Sequence, residues 1–167
     1  IVPSMAKKEQ RKQNVFPDGT PISEWFLQTK VVHPDSLGKK YDLSDYGIES
    51  NPHIVQTQKI QKIIDEAAAN GGGVIYIPEG IYKSGSLFFK QGTHLYLSKG
   101  ATLLGSENIM DFPLLMTRIE GEYCKYFGAL INADGLDTFT ISGKGTIDGN
   151  GTPYWKAFRL RREWNPQ

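Results

Sequence analysis

The stretches "LYLSKGATLLG" (95–105) and "FTISGKGTIDG" (139–149) read as two copies of one strand-turn-strand unit, 44 positions apart. At that offset Leu95 falls on Phe139, Leu97 on Ile141, Ser98 on Ser142, Thr102 on Thr146, Leu103 on Ile147 and Gly105 on Gly149. Coils of a parallel β-helix stack like positions on like, so equivalent side chains recur at the length of one coil, or of a coil plus an insertion. The stretch between the copies, "ENIMDFPLLMTRIEGEYCKYFG" (107–128), has the irregular look of such an insertion.

The first copy closes a series of short runs rich in β-formers, "VIYIP" (74–78), "SLFF" (86–89), "HLYL" (94–97) and "TLLG" (102–105), parted by glycine, proline, serine or lysine. They are too short and too closely spaced for βαβ units, which leaves antiparallel hairpins or a solenoid. Ahead of them, "NPHIVQTQKIQKIIDEAAANGGG" predicts a helix over 52–69, with Asn51 as cap, Pro52 in the first turn and a stop at Asn70-Gly71. Ile60, Ile63, Ile64, Ala67 and Ala68 form its apolar stripe. An open solenoid end exposes apolar side chains and unpaired strand edges, and an amphipathic helix in this place is expected to cap both.

The chain has 167 residues, long enough for one domain and too short to make two the expectation. Nineteen basic residues against eighteen acidic leave a net charge of +1, which predicts neither a nucleic-acid coat nor a membrane patch. No apolar run is long enough to span a bilayer, and "IVPSMAKKEQRKQ" lacks the layout of a signal peptide. Residues 1–13 read as a loose polar arm, and "FPDGTPISEWF" (16–26) as a turn at Pro17-Asp18-Gly19 followed by aromatics lying across a core. The division expected is an arm and leader over 1–40, then the helical cap and first coils over 41–167.

Cys124 is the only cysteine, which excludes an internal disulfide and fits a small, half-buried apolar role. His33, His53 and His94 lack the short spacings that bring two ligands to one metal. Neither a metal nor another cofactor is expected. The glycine clusters "GGGVIYIPEG" and "GKGTIDGNG" match neither a phosphate loop nor a dinucleotide fingerprint. Asp148, inside the second cluster, is expected to bond backbone amides at a corner.

In order along the chain, these residues resemble the pectin-cleaving glycoside hydrolases of family 28. The resemblance runs through "DYGIES" and "TQKIQKIIDEAAANGGGVIYIPEGIYKSGSLFFKQGTHLYLSKGATLLGS" to "ISGKGTIDGNGTPYW", with "DGTPISEWF" similar to a bacterial leader, and covers roughly residues 16 to 155. "IESNPH" replaces the Asp-Gly often found after the first strand. The resemblance implies a right-handed parallel β-helix that hydrolyses galacturonan or rhamnogalacturonan with inversion, which needs an acid and a base about 6.5–9.5 Å apart. The family's Asn-Thr-Asp, Asp-Asp, Gly-His-Gly and Arg-x-Lys motifs follow the Gly-Thr-Ile-Asp-Gly turn. Here Asp-Asp, Gly-His-Gly and Arg-x-Lys are absent, so no catalytic residue is assigned and the 167 residues are expected to be inactive alone. "NADG" (132–135) resembles the Asn-Thr-Asp motif but precedes the turn, and Asp134 and Asp137 read as turn formers.

The tail "PYWKAFRLRREW" (153–164) sets Arg159, Arg161 and Arg162 among Tyr154, Trp155, Phe158 and Trp164. Arginine forks and aromatic platforms suit an acidic polysaccharide, and Trp155, Arg159 and Arg162 are the candidate substrate-binding residues. The competing reading packs Trp155 and Phe158 on the coil and leaves the arginines in water. Asn150-Gly151-Thr152 is a formal glycosylation sequon. The partners implied are pectin fragments and further coils of the same protein, with no nucleic acid and no membrane, in a secreted or periplasmic setting. Two alternatives stay open: a non-catalytic β-helix that binds carbohydrate or serves as a stalk, and a β-helix lyase with a calcium site.

Overall fold

The computed structural model describes residues 15–27 and 32–164, which fall into two units divided between Val31 and Val32. The arm at 1–13 lies outside the described residues. In the first unit, Pro17-Asp18-Gly19 does form a turn: the Gly19 amide donates to the Phe16 carbonyl at 2.8 Å and the Thr20 amide to the Asp18 carboxylate at 2.9 Å. Phe26 is 65% exposed, against the expectation that the aromatics after the turn lie across a core; the side chain of Trp25 lies outside the described residues.

The second unit is built from strands β1 (Lys40–Asp42), β2 (Asn51–Val55), β3 (Gly73–Ile77), β4 (Gly80–Ser84), β5 (Leu87–Phe88), β6 (Thr93–Leu97), β7 (Ala101–Gly105), β8 (Leu114–Ile119), β9 (Glu122–Phe127), β10 (Ile131–Asn132), β11 (Ile141–Gly143) and β12 (Thr146–Asp148), with helices α1 (Thr57–Ala69) and α2 (Thr152–Trp164). Three parallel ladders run through it: β1-β3-β6-β11, β2-β4-β7-β12 and β5-β10. The chain visits them in turn, each circuit adding a rung to the first two ladders and the two middle circuits a rung to the third: a parallel β-helix. β8 and β9 form a separate antiparallel hairpin inserted between β7 and β10, which gives the irregular stretch 107–128 its structure.

The repeat is real, but its register differs between its halves. Thr102, Leu103 and Leu104 lie on Thr146, Ile147 and Asp148, at the expected offset of 44. In the preceding strand Leu95 lies on Ile141 and Leu97 on Gly143, an offset of 46. The corner after β11 is two residues tighter because Lys144 and Gly145 both donate their amides to the Leu97 carbonyl, at 2.9 and 3.2 Å. Gly143 holds φ +106°, and a Cβ there would overlap that same carbonyl, so glycine is required. A slip of two keeps every side chain on its face, which is why the sequence pattern tolerated it.

The helix is shorter than the expected span 52–69. Asn51–Val55 is strand instead, drawn into parallel pairing with β4, and the Asn51 side chain accepts from the His53 amide at 2.8 Å rather than capping α1. α1 begins after Gln56, whose side-chain amide bonds the backbone of Glu49. Of its expected stripe, Ile60, Ile63, Ile64 and Ala67 are buried, in one core with Tyr41, Ile75, Leu87 and Leu95, while Ala68 is half-buried. α1 stands between β2 and β3 in the chain, where later circuits place β5 and β10. There Gln61 does what a neighbouring strand would do for β5: its carbonyl accepts from the Phe88 amide at 2.8 Å and its amide donates to the Phe88 carbonyl at 2.9 Å. The Thr57 hydroxyl accepts from the Gly85 amide at 2.7 Å.

Burial falls sharply at the other end of the stack. Along one inward row, Tyr41, Ile75 and Leu95 are at most 1% exposed and Ile141 is 47% exposed. Along the next, Leu103 is 0% and Ile147 43% exposed.

Candidate functional site: the hairpin, the second helix and the cleft between hairpin and coils

Both large departures from the coil leave it at one corner. The hairpin segment starts after Gly105 and α2 follows Gly149, one circuit later. Asn150, at φ +49°, donates its side-chain amide to the Gly105 carbonyl at 3.1 Å, and the Tyr154 hydroxyl donates to the Ser106 carbonyl at 2.7 Å. Burial and then the Asp111 carboxylate push the Tyr154 hydroxyl up from its ordinary value, which keeps it protonated and a donor. The Asp148 carboxylate accepts from the Asn150 amide at 2.8 Å, the corner bond expected of it.

The root of the hairpin is tied down separately. Lys83, 6% exposed on β4, pairs with Glu107 at 2.6 Å, and Ser106 bonds the Asp111 carboxylate, whose backbone carbonyl takes the Ser86 amide at 3.2 Å. The hydrogen bond from Lys83 holds the Glu107 carboxyl below its ordinary value.

Several concavities result, of which two bear on the candidate residues. A pocket of 300 Å³ is lined by Tyr126 of the hairpin and by Gly151, Tyr154, Trp155 and Phe158 at α2. Trp155 is 64% and Phe158 51% exposed, so neither packs closely on the coil; Tyr154 anchors the helix instead, edge-on to Phe112. Trp155 and Phe158 meet edge to face at 6.0 Å, and the Arg162 guanidinium lies 5.9 Å from the Phe158 ring centre. Of the candidate residues, Trp155 lines the pocket, Arg162 sits over its neighbour, and Arg159 is exposed on the same helix.

The larger cleft, 830 Å³, opens between the hairpin and the β5-β10 ladder. Phe88, Phe89 and Asn132 belong to the ladder side, with Asp134 just beyond it, while Arg118 and Tyr123 come from the hairpin. Asn132 is structural: its amide group bonds Ala129 through both nitrogen and oxygen, and also the Leu87 carbonyl. Arg118 and Tyr123 carried no signal in the sequence, because only strand pairing sets them opposite each other. Among the described residues, no group of three His, Cys, Asp or Glu could hold a metal ion.

No family model matches the chain. It is 34% identical over 152 residues to the exo-poly-α-D-galacturonosidase of Dickeya chrysanthemi, across 86% of this chain and 24% of that protein. The solved family 28 exopolygalacturonase of Yersinia enterocolitica shares its fold with a TM-score of 0.59 and 33% identity, over 67% of this chain and 21% of the other. The chain is related to the family 28 polygalacturonases. A second relative of this polygalacturonase-like chain carries a different name: the plasmin and fibronectin-binding protein A of Streptococcus pneumoniae, 37% identical over 129 residues, 75% of this chain and 17% of that protein. The chain thus spans about a quarter or less of the length of these relatives.

Proposed function

We propose that this chain forms the leading part of a pectin-degrading glycoside hydrolase acting on galacturonan or rhamnogalacturonan, secreted or periplasmic, with its catalytic acids on later coils. The observation that carries this reading is the parallel ladder system, with its Gly-Thr-Ile-Asp-Gly corner, in a chain 34% identical to an exo-poly-α-D-galacturonosidase. Residues 1–40 would be an arm and leader, and 41–167 a helical cap with the first coils. The buried stripe of α1 and the Gln61 bridge to Phe88 support the capping role. The exposed Ile141 and Ile147 support further coils as the partner of this end, since covering the remaining half of each side chain is worth about 1 kcal/mol.

In this reading the hairpin and α2 make a wall beside the β5-β10 ladder, and Trp155, Arg159 and Arg162 present a ring and two cations to an acidic saccharide. The test is galacturonan cleavage by the full-length protein. Release of short uronides is expected, with none from the 167-residue chain alone; cleavage by the short chain would contradict the placement of the acids. A second reading, a β-helix binding module without hydrolysis, is in keeping with the name of the streptococcal relative, a binder of plasmin and fibronectin, and predicts no product from galacturonan.

A further inference from the structure

We infer that the cleft between the hairpin and the β5-β10 ladder holds one hexuronate unit of an acidic oligosaccharide, with Arg118 taking its carboxylate and Tyr123 its apolar ring face. This rests on the pectin-degrading reading and adds to it a recognition site apart from α2.

Arg118 and Tyr123 are directly paired across β8 and β9, so both stand on one face of the hairpin. The Arg118 Nε donates to the Gly121 carbonyl at 3.2 Å, which fixes the root of the guanidinium and leaves its two terminal amino groups for a ligand. Among the described residues no carboxylate pairs with it. Tyr123 is 79% exposed, so its ring face is open to a ligand entering the cleft.

On the ladder side the Asn132 amide is used by Ala129 and Leu87, so Asp134 supplies the carboxyl group left to face a ligand. One wall therefore offers a cation and the other a carboxylate. A sugar with one carboxylate and several hydroxyls satisfies both, since hydroxyls donate to Asp134 while the uronate accepts from Arg118. A neutral hexose leaves Arg118 unmatched, and a dianion such as a phosphate meets repulsion from Asp134. The cleft's 830 Å³ lies within the ~300–1,000 Å³ of small-ligand sites.

The experiment is calorimetric titration of the full-length protein with trigalacturonate and with its carboxyl-reduced counterpart, for the wild type and for Arg118→Ala and Arg118→Lys, with near-ultraviolet circular dichroism to confirm the fold. A charge-assisted fork predicts about a ten-fold or greater rise in Kd for Arg118→Ala, partial recovery in Arg118→Lys, and weak binding of the reduced sugar that Arg118→Ala leaves unchanged. Equal affinity of Arg118→Ala and wild type for trigalacturonate overturns the assignment, as does equal affinity of the wild type for the two sugars. Arg118-dependent binding without hydrolysis would sink the hydrolase reading and leave this site standing; hydrolysis with no Arg118 effect on binding would do the reverse.

Discussion

The side-chain amide of Asn150 donates to the carbonyl of Gly105, one full circuit earlier in the coil. Two segments that both leave the coil are thereby held at one corner, and Tyr154 adds a second tie from α2 to Ser106. Tyr126 of the hairpin and Trp155 of the helix line one pocket because of these two bonds.

Replacing Asn150 tests the corner. Asn150→Ala loses the bond to Gly105 and puts a less tolerant residue at φ +49°, for a cost of about 2–3 kcal/mol; Asn150→Gly loses only the bond and costs about 1 kcal/mol. Urea unfolding should rank the variants in that order. Equal losses would show that backbone conformation plays no part.

Tyr154→Phe removes one hydroxyl and leaves the Ser106 carbonyl without that donor. The expected loss is about 1 kcal/mol, accompanied by a change in Trp155 emission as α2 loosens from the hairpin. Unchanged stability and unchanged emission would mean that the helix is held by other contacts.

Gln61 closes the edge of β5 with both ends of its amide. Gln61→Ala leaves the Phe88 amide and carbonyl unpaired in a half-buried place, with an expected cost of about 2–4 kcal/mol, while Gln61→Glu keeps only the acceptor and falls between. A Gln61→Ala variant as stable as the wild type would remove the argument that α1 stands in for a strand.

Acid should loosen the hairpin root. The Lys83 hydrogen bond depresses the Glu107 pKa below its ordinary 4.5, so its contribution is present above that value and is lost as pH falls through the lower folded-state value. Glu107→Gln should therefore shrink the stability lost on acidification from about pH 6 to below the ordinary carboxylate range. Identical pH profiles for the two proteins would contradict the pairing.

Much of this was legible in the chain. The stripe Ile60, Ile63, Ile64, Ala67 and the second half of the repeat follow from spacing alone, because both are set by periodic contact with one core. The start of α1 was not: Asn51-Pro52 satisfies the local chemistry of a helix start, and only pairing with β4 draws it into a strand. The tighter corner after β11 was hidden because a two-residue slip preserves the alternation of faces. Trp155 and Phe158 carried helical spacing but no sign of which ring would dock, and it is Tyr154 that does. The Arg118–Tyr123 pair depends on hairpin register, which a run of mixed composition does not encode visibly.

The central claim is that these coils belong to an inverting pectin hydrolase. The most direct measurement is proton NMR of the first products formed from polygalacturonate by the full-length protein. Cleavage of an α-linkage by an inverting pair predicts that new reducing ends appear first as the β-anomer and then relax toward equilibrium. Unsaturated product ends, or an intact polymer after prolonged incubation with folded protein, would contradict it.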